Sequence, residues 1–328
     1  MTHTAFVTGG SGFVGMNLLR LLCEQGWRVR ALVRTTSPME DIQDLDVEFV
    51  EGDITDGDSL RSAIPPGTDA VFHVAASTSI WSRHNDLQRA INVEGTRNVV
   101  NASLEAGVGR FIHTSSFIVW GFLDGVLDEK RARSDNADWI NYVRTKHEAE
   151  GIVRDAVAHR GLDAVILNPA HILGPGDRHN WSRVIRMVHL RRLPGVPPGG
   201  GAFADVREVA RAHLAAFGDG RSGHNYILGG PDTRFIEVVR IVGELLDRKV
   251  PKRPTPALLL HAVARFQALR AALTGKEPDL TPEGAAMITR HLECSSAKAQ
   301  AELGYRFTDI RELLRETCRW MRRRGLLN

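Results

Sequence analysis

A short apolar run at residues 4–8 leads into Val7-Thr8-Gly9-Gly10-Ser11-Gly12-Phe13-Val14-Gly15, and a helical pattern follows over 13–25. Few chain geometries accept that order. A strand turning sharply into a helix needs residues without Cβ at the turn, and a glycine inside the helix lets strand and helix approach closely. The helix then starts with free N–H groups and the positive end of its dipole at the turn, a place for an anion. The competing reading is a glycine-rich turn that binds nothing. The loop's position, between strand and helix at the head of a βα array, argues against that. Gly9, Ser11, Gly12, Phe13, Val14 and Gly15 are therefore candidate contacts to a dinucleotide pyrophosphate.

Further β-rich runs at 28–33, 47–50, 70–74, 110–114 and 164–167 alternate with helical patterns at 59–63, 86–106 and 140–159. Regular alternation implies βαβ units around a parallel sheet covered on both faces. Right-handed crossovers leave the doubly wound, Rossmann-type α/β fold as the expected class. After Gly174-Pro175-Gly176-Asp177 the regularity breaks, residues 193–201 are dense in Pro and Gly, and 202–217 and 225–228 read as two returns to the sheet. Helical patterns then dominate at 234–246, 257–273, 282–292 and 309–324. The expected organisation is a dinucleotide-binding domain over 1–178, revisited by 202–229. A smaller, mostly helical substrate lobe is expected from 179–201 and 230–328.

Composition excludes several classes. The 328 residues are 43% hydrophobic and 25% charged, and the 42 basic side chains are scattered among 39 acidic ones. A sizeable core is expected, and no nucleic-acid partner. Cys23, Cys294 and Cys318 form no paired spacing, so neither a disulfide framework nor a metal site is expected, and a cytoplasmic location fits. No signal peptide is read at Met1-Thr2-His3-Thr4. No run reaches the roughly 18 apolar residues of a membrane span. Residues 256–273, interrupted by His261, Arg265 and Arg270, read as an amphipathic helix packed on the protein rather than on a membrane.

The second strand bears on the cofactor. An NAD site carries Asp or Glu about 20 residues beyond the glycines. Residues 28–39 hold no acid, and Arg34, Thr35, Thr36 and Ser37 follow the strand. An arginine fork there can pair a ribose 2′-phosphate, so NADP(H) is the preferred cofactor, with NAD(H) as the alternative. Asp53 is placed to accept from the adenine amino group and Ile54 to pack on the ring. Val74, Ala75 and Ala76 are small where a bulky residue would collide with the cofactor, and Asn92 lies on the following helix. His73 reads as a satisfied strand-end histidine.

Tyr142 and Lys146, four residues apart, share one helix face, so phenol and ammonium can lie side by side. A nearby ammonium draws a phenol pKa down toward usefulness, and Lys146 can also hold the nicotinamide ribose. Upstream, Thr114, Ser115 and Ser116 bring hydroxyls to the C-terminal end of a strand, where doubly wound folds place their ligands. A serine there can bond the substrate oxygen while tyrosine moves the proton.

Taken in order, these motifs, with Asn92-Val93-Glu94-Gly95-Thr96 and Asn168-Pro169 followed by Gly174-Pro175-Gly176, resemble the extended short-chain dehydrogenases/reductases. The branch most resembled is dihydroflavonol-reductase-like. It also holds hopanoid-associated sugar-epimerase-like proteins and is similar to 3β-hydroxysteroid dehydrogenases. The match spans residues 4–230, with a weaker echo at Ser296, Lys298-Ala299 and Glu302-Leu303-Gly304-Tyr305. The resemblance implies Ser116, the last hydroxyl before Val119-Trp120-Gly121, as catalytic serine, with Tyr142 and Lys146. Thr114, Ser115, Pro169, Ala170 and His171 would border the nicotinamide, His171 more as wall than as substrate contact. It also implies a homodimer through the helices at 86–106 and 140–159.

The departures narrow the reading. Sugar-nucleotide dehydratases carry Asp-Glu after the serine, where this chain has Phe117 and Ile118, so water elimination is not expected. Asn168 stands where many epimerases carry Arg, and Trp120 replaces a frequent Tyr, widening the apolar wall. The expected activity is interconversion of a secondary alcohol with a ketone or aldehyde. The alternative is an NAD-dependent sugar-nucleotide epimerase whose diphosphate is held by Arg178, Arg183, Arg186, Arg191 and Arg192, unless those form a solvated helix face. A non-catalytic cofactor sensor is disfavoured, because such relatives have lost the tyrosine or lysine that this chain keeps.

Overall fold

The computed structural model describes residues 2–327. Its first half runs β1 (Thr4–Thr8), α1 (Phe13–Glu24), β2 (Arg28–Val33), β3 (Val47–Glu51), α2 (Gly57–Ala63) and β4 (Ala70–His73). It continues through α3 (Asn85–Arg89), α4 (Gly95–Glu105), β5 (Arg110–Thr114), α5 (Asn141–Arg160) and β6 (Ala164–Pro169). The second half holds β7 (His171–Leu173), α6 (Trp181–His189), β8 (Gly200–Asp205), α7 (Val206–Gly218), β9 (Asn225–Leu228) and β10 (Asp232–Arg234). It ends with α8 (Phe235–Leu246), α9 (Ala257–Thr274), α10 (Pro282–Ile288), β11 (His291–Leu292), α11 (Ala297–Leu303) and α12 (Ile310–Arg323).

Seven parallel strands form the main sheet in the order β3-β2-β1-β4-β5-β6-β9. This is the Rossmann-type α/β fold. Successive strand residues point to opposite faces, which sorts the core into two layers. Phe6, Val71, Phe111 and Ile166 pack under Val99, Val100 and Val153 of α4 and α5. Their neighbours Val7, Phe72, Ile112 and Leu167 pack under Leu18, Leu19, Val209 and Ala216 of α1 and α7. All are fully or nearly fully buried, and removing each from water contributes about 1.5–3 kcal/mol. Strand order reverses between β2-β1 and β4-β5, so a crevice opens beyond Thr8 and His73 at the strands' C-terminal ends.

Three local expectations change. Residues 200–205 are not in the main sheet: β8 builds a second small sheet with β7, β10 and β11. Directly after β8 the chain forms α7, lying on the main sheet's face, so only β9 returns as a strand. The helix expected over 282–292 stops at Ile288, because Gly199 and Gly200 draw the Ile288 and Arg290 carbonyls into strand pairing. The long helix over 86–106 is broken by a π-helical turn, Ala90–Glu94, that carries Asn92. Phe203 joins side chains of α6, α8 and α12 in a separate core.

Candidate active site

The glycine loop is a cradle that side chains would fill. Gly9 has φ +73°, and a Cβ there would lie 2.5 Å from the Ala75 nitrogen. At Gly15 it would lie 2.0 Å from the Gly9 carbonyl oxygen. The β4 end is drawn onto the same turn, since Val74 N donates to the Thr8 carbonyl at 3.2 Å and Ala75 N to Thr8 Oγ1 at 3.3 Å. Gly12 caps α1 without a side-chain bond, and the first turn holds no acid, so the helix's free N–H groups and dipole face the crevice unopposed. Ser11, Phe13 and Val14 are half-buried around this end.

Arg34 is exposed immediately beyond β2, where its backbone N–H is held by Ser37 Oγ at 2.9 Å. Asp53 accepts from Thr55 N at 2.9 Å and Thr55 Oγ1 at 2.8 Å. Ile54 is buried against Gly95, in the core rather than at the rim. Asn92 is buried and fully occupied. Its Oδ1 accepts from Ser77 N at 2.7 Å, and its Nδ2 donates to the Ser77 carbonyl and to Thr145 Oγ1. It therefore staples the loop after β4 to α5. His73 is satisfied on both ring nitrogens by Thr8 and Thr96, and burial pushes it down to about 3, so it is neutral.

The first turns of α5 face the end of β5. Lys146 is 3% exposed, and its Nζ donates to the Thr114 carbonyl at 2.7 Å. Burial pushes its ammonium down to about 8, while Glu150 one turn on pulls the other way. Tyr142, one turn before it, has its hydroxyl beside Ser116. Burial raises the phenol and outweighs the lowering from that serine's nearness, so the expected net pull of Lys146 on the phenol is not met. Tyr142 stands in its protonated, donating form at neutral pH. Ser115 is buried, its hydroxyl without a hydrogen-bond partner. Thr114 Oγ1 is bonded to Nε2 of His213, whose Nδ1 donates to the Val209 carbonyl.

Sequence reading missed the layer behind this trio. Glu150, 1% exposed, accepts from Asn168 Nδ2 at 2.6 Å, from Asn225 Nδ2 at 3.1 Å and from Arg154. Asn168 also donates to the Ser116 carbonyl at 3.1 Å, fixing the serine's backbone. The one available signal was Glu150's spacing, four residues after Lys146 on the same helix face. Pro169 and Ala170 continue β6 toward the crevice, with Ala170 N bonded to the Leu228 carbonyl at 2.9 Å. His171 is neutral, held by burial down to about 4, and sits among Phe117, Trp181, Phe203 and Phe235 with ring centroids 5.4–6.2 Å away. Trp120 is not an open wall: it is buried, and its Nε1 donates to the Arg131 carbonyl at 3.1 Å. The five arginines Arg178, Arg183, Arg186, Arg191 and Arg192 are exposed, with Arg178 paired to Asp41 and Arg183 to Asp279.

A glycine cradle on a doubly wound sheet, with Tyr142 and Lys146 of α5 facing the end of β5, defines a class. Residues 5–229 match the NAD dependent epimerase/dehydratase family, and the chain belongs to that family, in its extended short-chain dehydrogenase/reductase branch. It is 33% identical, over 99% of its own length and 96% of the other's, to a Synechocystis sp. protein provisionally named a dihydroflavonol 4-reductase. It is 31% identical to the 3-beta-hydroxysteroid dehydrogenase of Mycolicibacterium neoaurum, over 91% of this chain and 86% of that one. Among solved structures, gox2253 superposes with a TM-score of 0.86 at 32% identity, covering 100% of both chains. The protein is thus an enzyme-family member of the NAD(P)-dependent oxidoreductase or epimerase kind. Among its described residues no helix is long and apolar enough to cross a membrane.

Proposed function

We propose that the protein is an NADP(H)-dependent oxidoreductase that interconverts a secondary alcohol and a ketone or aldehyde. The observation that carries this reading is Tyr142 beside Ser116, with Lys146 one helical turn on and bonded to the Thr114 carbonyl at the end of β5. The cradle fits the cofactor, because it leaves no room for a Cβ at Gly9 or Gly15 and keeps the N-terminus of α1 uncapped. Arg34 at the end of β2 would take the 2′-phosphate, with no acid nearby on that strand to hold a 2′-hydroxyl instead. When bound, the nicotinamide supplies or accepts the hydride.

The chain's residues do the rest. Ser116 Oγ donates to the carbonyl oxygen and polarises it. Tyr142 delivers its phenolic proton to that oxygen in the reducing direction. Lys146, anchored on the Thr114 carbonyl, would hold the nicotinamide ribose beside the tyrosine. Asn168 and Glu150 hold Ser116 and Lys146 in place.

The substrate is proposed to be apolar. Tyr142, Ala170, Met287 and Leu292 pack against one apolar cluster that includes Phe117 and Ile118, and two of the five arginines, Arg178 and Arg183, are taken up by Asp41 and Asp279. That observation favours the reductase over the sugar-nucleotide epimerase. The hydroxysteroid name of one relative is consistent with it. The test is NADPH deuterated at C4, incubated with a panel of aryl and alicyclic ketones. Deuterium on the carbinol carbon of the product supports hydride transfer to substrate. Turnover of UDP-sugars with no label lost from the cofactor pool would favour epimerisation.

A further inference from the structure

α9 is apolar on both faces, and only one face is covered. Ala264 and Ala271 are buried against the protein, and Gln267 accepts from Leu280 N at the start of the α10 segment. The opposite side is bare: Leu258 is 86% exposed, Phe266 and Leu269 69%, and Leu273 89%. A helix that is apolar all round belongs in a core or at an interface. At 3.6 residues per turn, Leu258, Leu269, Ala262, Leu273, Phe266 and Leu259 form one stripe about 100° wide. Arg265 falls just outside one edge of that stripe and Arg270 just outside the other. The charge within the helix and the segment leading into it has one sign, the nearest acids being Asp247 before it and Glu277, Asp279 and Glu283 after it, Glu283 on the covered side beside Ala268 and Ala271. Residues 248–276 contain Arg248, Lys249, Lys252, Arg253, Arg265, Arg270 and Lys276 and no Asp or Glu.

We propose that α9 lies in the plane of an anionic lipid bilayer surface, its bare stripe among the acyl chains and Arg265 and Arg270 at the phosphates. Arginine stems are long enough to cover apolar surface while their heads reach the phosphate level. An apolar stripe edged by cations is the pattern of helices that lie on, rather than span, a membrane. A second copy of this chain is the weaker occupant, because a two-fold contact through α9 would set the same basic segment against itself. The placement also suits an apolar substrate. α10 touches α9 through Thr289 and His261, and its Ala286 and Met287 reach the apolar cluster beside Tyr142. A lipid-dissolved substrate would therefore meet the site across one helix. The part about substrate rests on the proposed function; the membrane contact does not.

The test uses the full chain and no activity readout: co-sedimentation with phosphatidylcholine vesicles, with and without phosphatidylglycerol. The expected result is binding to the anionic vesicles that falls by about tenfold or more at high salt and in Arg265→Glu/Arg270→Glu. The second pair, Phe266→Ser/Leu273→Ser, should lose binding while keeping the wild-type melting curve, since both side chains are exposed. Absence of wild-type binding to either vesicle would overturn the proposal. So would equal binding after arginine reversal, or a lipid-indifferent dimer that the serine pair dissociates.

Discussion

The buried ammonium of Lys146 sets up a stability difference that reverses with pH. Burial holds its folded pKa at about 8 against an ordinary value of 10.5. That gap corresponds to about 3 kcal/mol of destabilisation while the lysine is charged in both states, that is, below pH 8. Lys146→Met removes this cost and also removes the hydrogen bond to the Thr114 carbonyl, worth roughly 1.5–3 kcal/mol for a charged donor. At pH 7 the variant is therefore expected to be equal to wild type or more stable by about 1–2 kcal/mol, an increase of about 2 °C in melting temperature for a chain of 328 residues. From pH 8 to 10.5 the unfolded lysine still binds a proton that the folded one has released, so wild-type stability rises relative to the variant. By about pH 10 wild type should be the more stable protein, a swing of about 3 kcal/mol. Urea unfolding of both proteins, freed of nucleotide, at several pH values measures this difference directly, because other titrating groups cancel between them. A stability difference that stays flat across that range would refute the burial argument.

Other outcomes follow from the same geometry. Gly15→Ala places a Cβ on the Gly9 carbonyl and should weaken dinucleotide binding by about tenfold or more, read by fluorescence titration with NADPH. Arg34→Ala should raise KM for NADPH by about tenfold and leave KM for NADH nearly unchanged, because only the 2′-phosphate loses a partner. The kcat/KM profile should fall on its alkaline side near pH 8, where Lys146 loses its charge in the free enzyme. Asn168→Leu should lower kcat more than it changes KM, since the Ser116 backbone loses a fixed donor and Glu150 one of its partners.

The features legible in the sequence were local or periodic. The glycine turn, the strand-helix alternation and the four-residue spacing of Tyr142 and Lys146 each depend on neighbours in the chain, and the fold reproduces all three. Features that depend on distant partners were not legible. The Glu150–Asn168–Asn225 network joins residues 18–75 positions apart, so its members look like ordinary polar residues until β6 and β9 pair beside α5. Gly200 and Gly201 read as loop because their strand partners lie far along the chain in β10 and β11. Trp120 carried no sign that its indole would turn inward to the Arg131 carbonyl. Periodicity marked residues 256–273 as a helix and could not show that only one of its two apolar faces is covered.

The central claim is that Tyr142 protonates a carbonyl oxygen reduced by NADPH, and absorbance at 340 nm tests it most directly. Purified enzyme and its Tyr142→Phe variant are given NADPH or NADH against apolar ketones and aldehydes. The account predicts NADPH oxidation with at least one apolar ketone, falling by about 100-fold or more in the variant while NADPH binding is kept. An enzyme that retains NAD⁺ through purification, turns over no carbonyl and interconverts nucleotide sugars would contradict it.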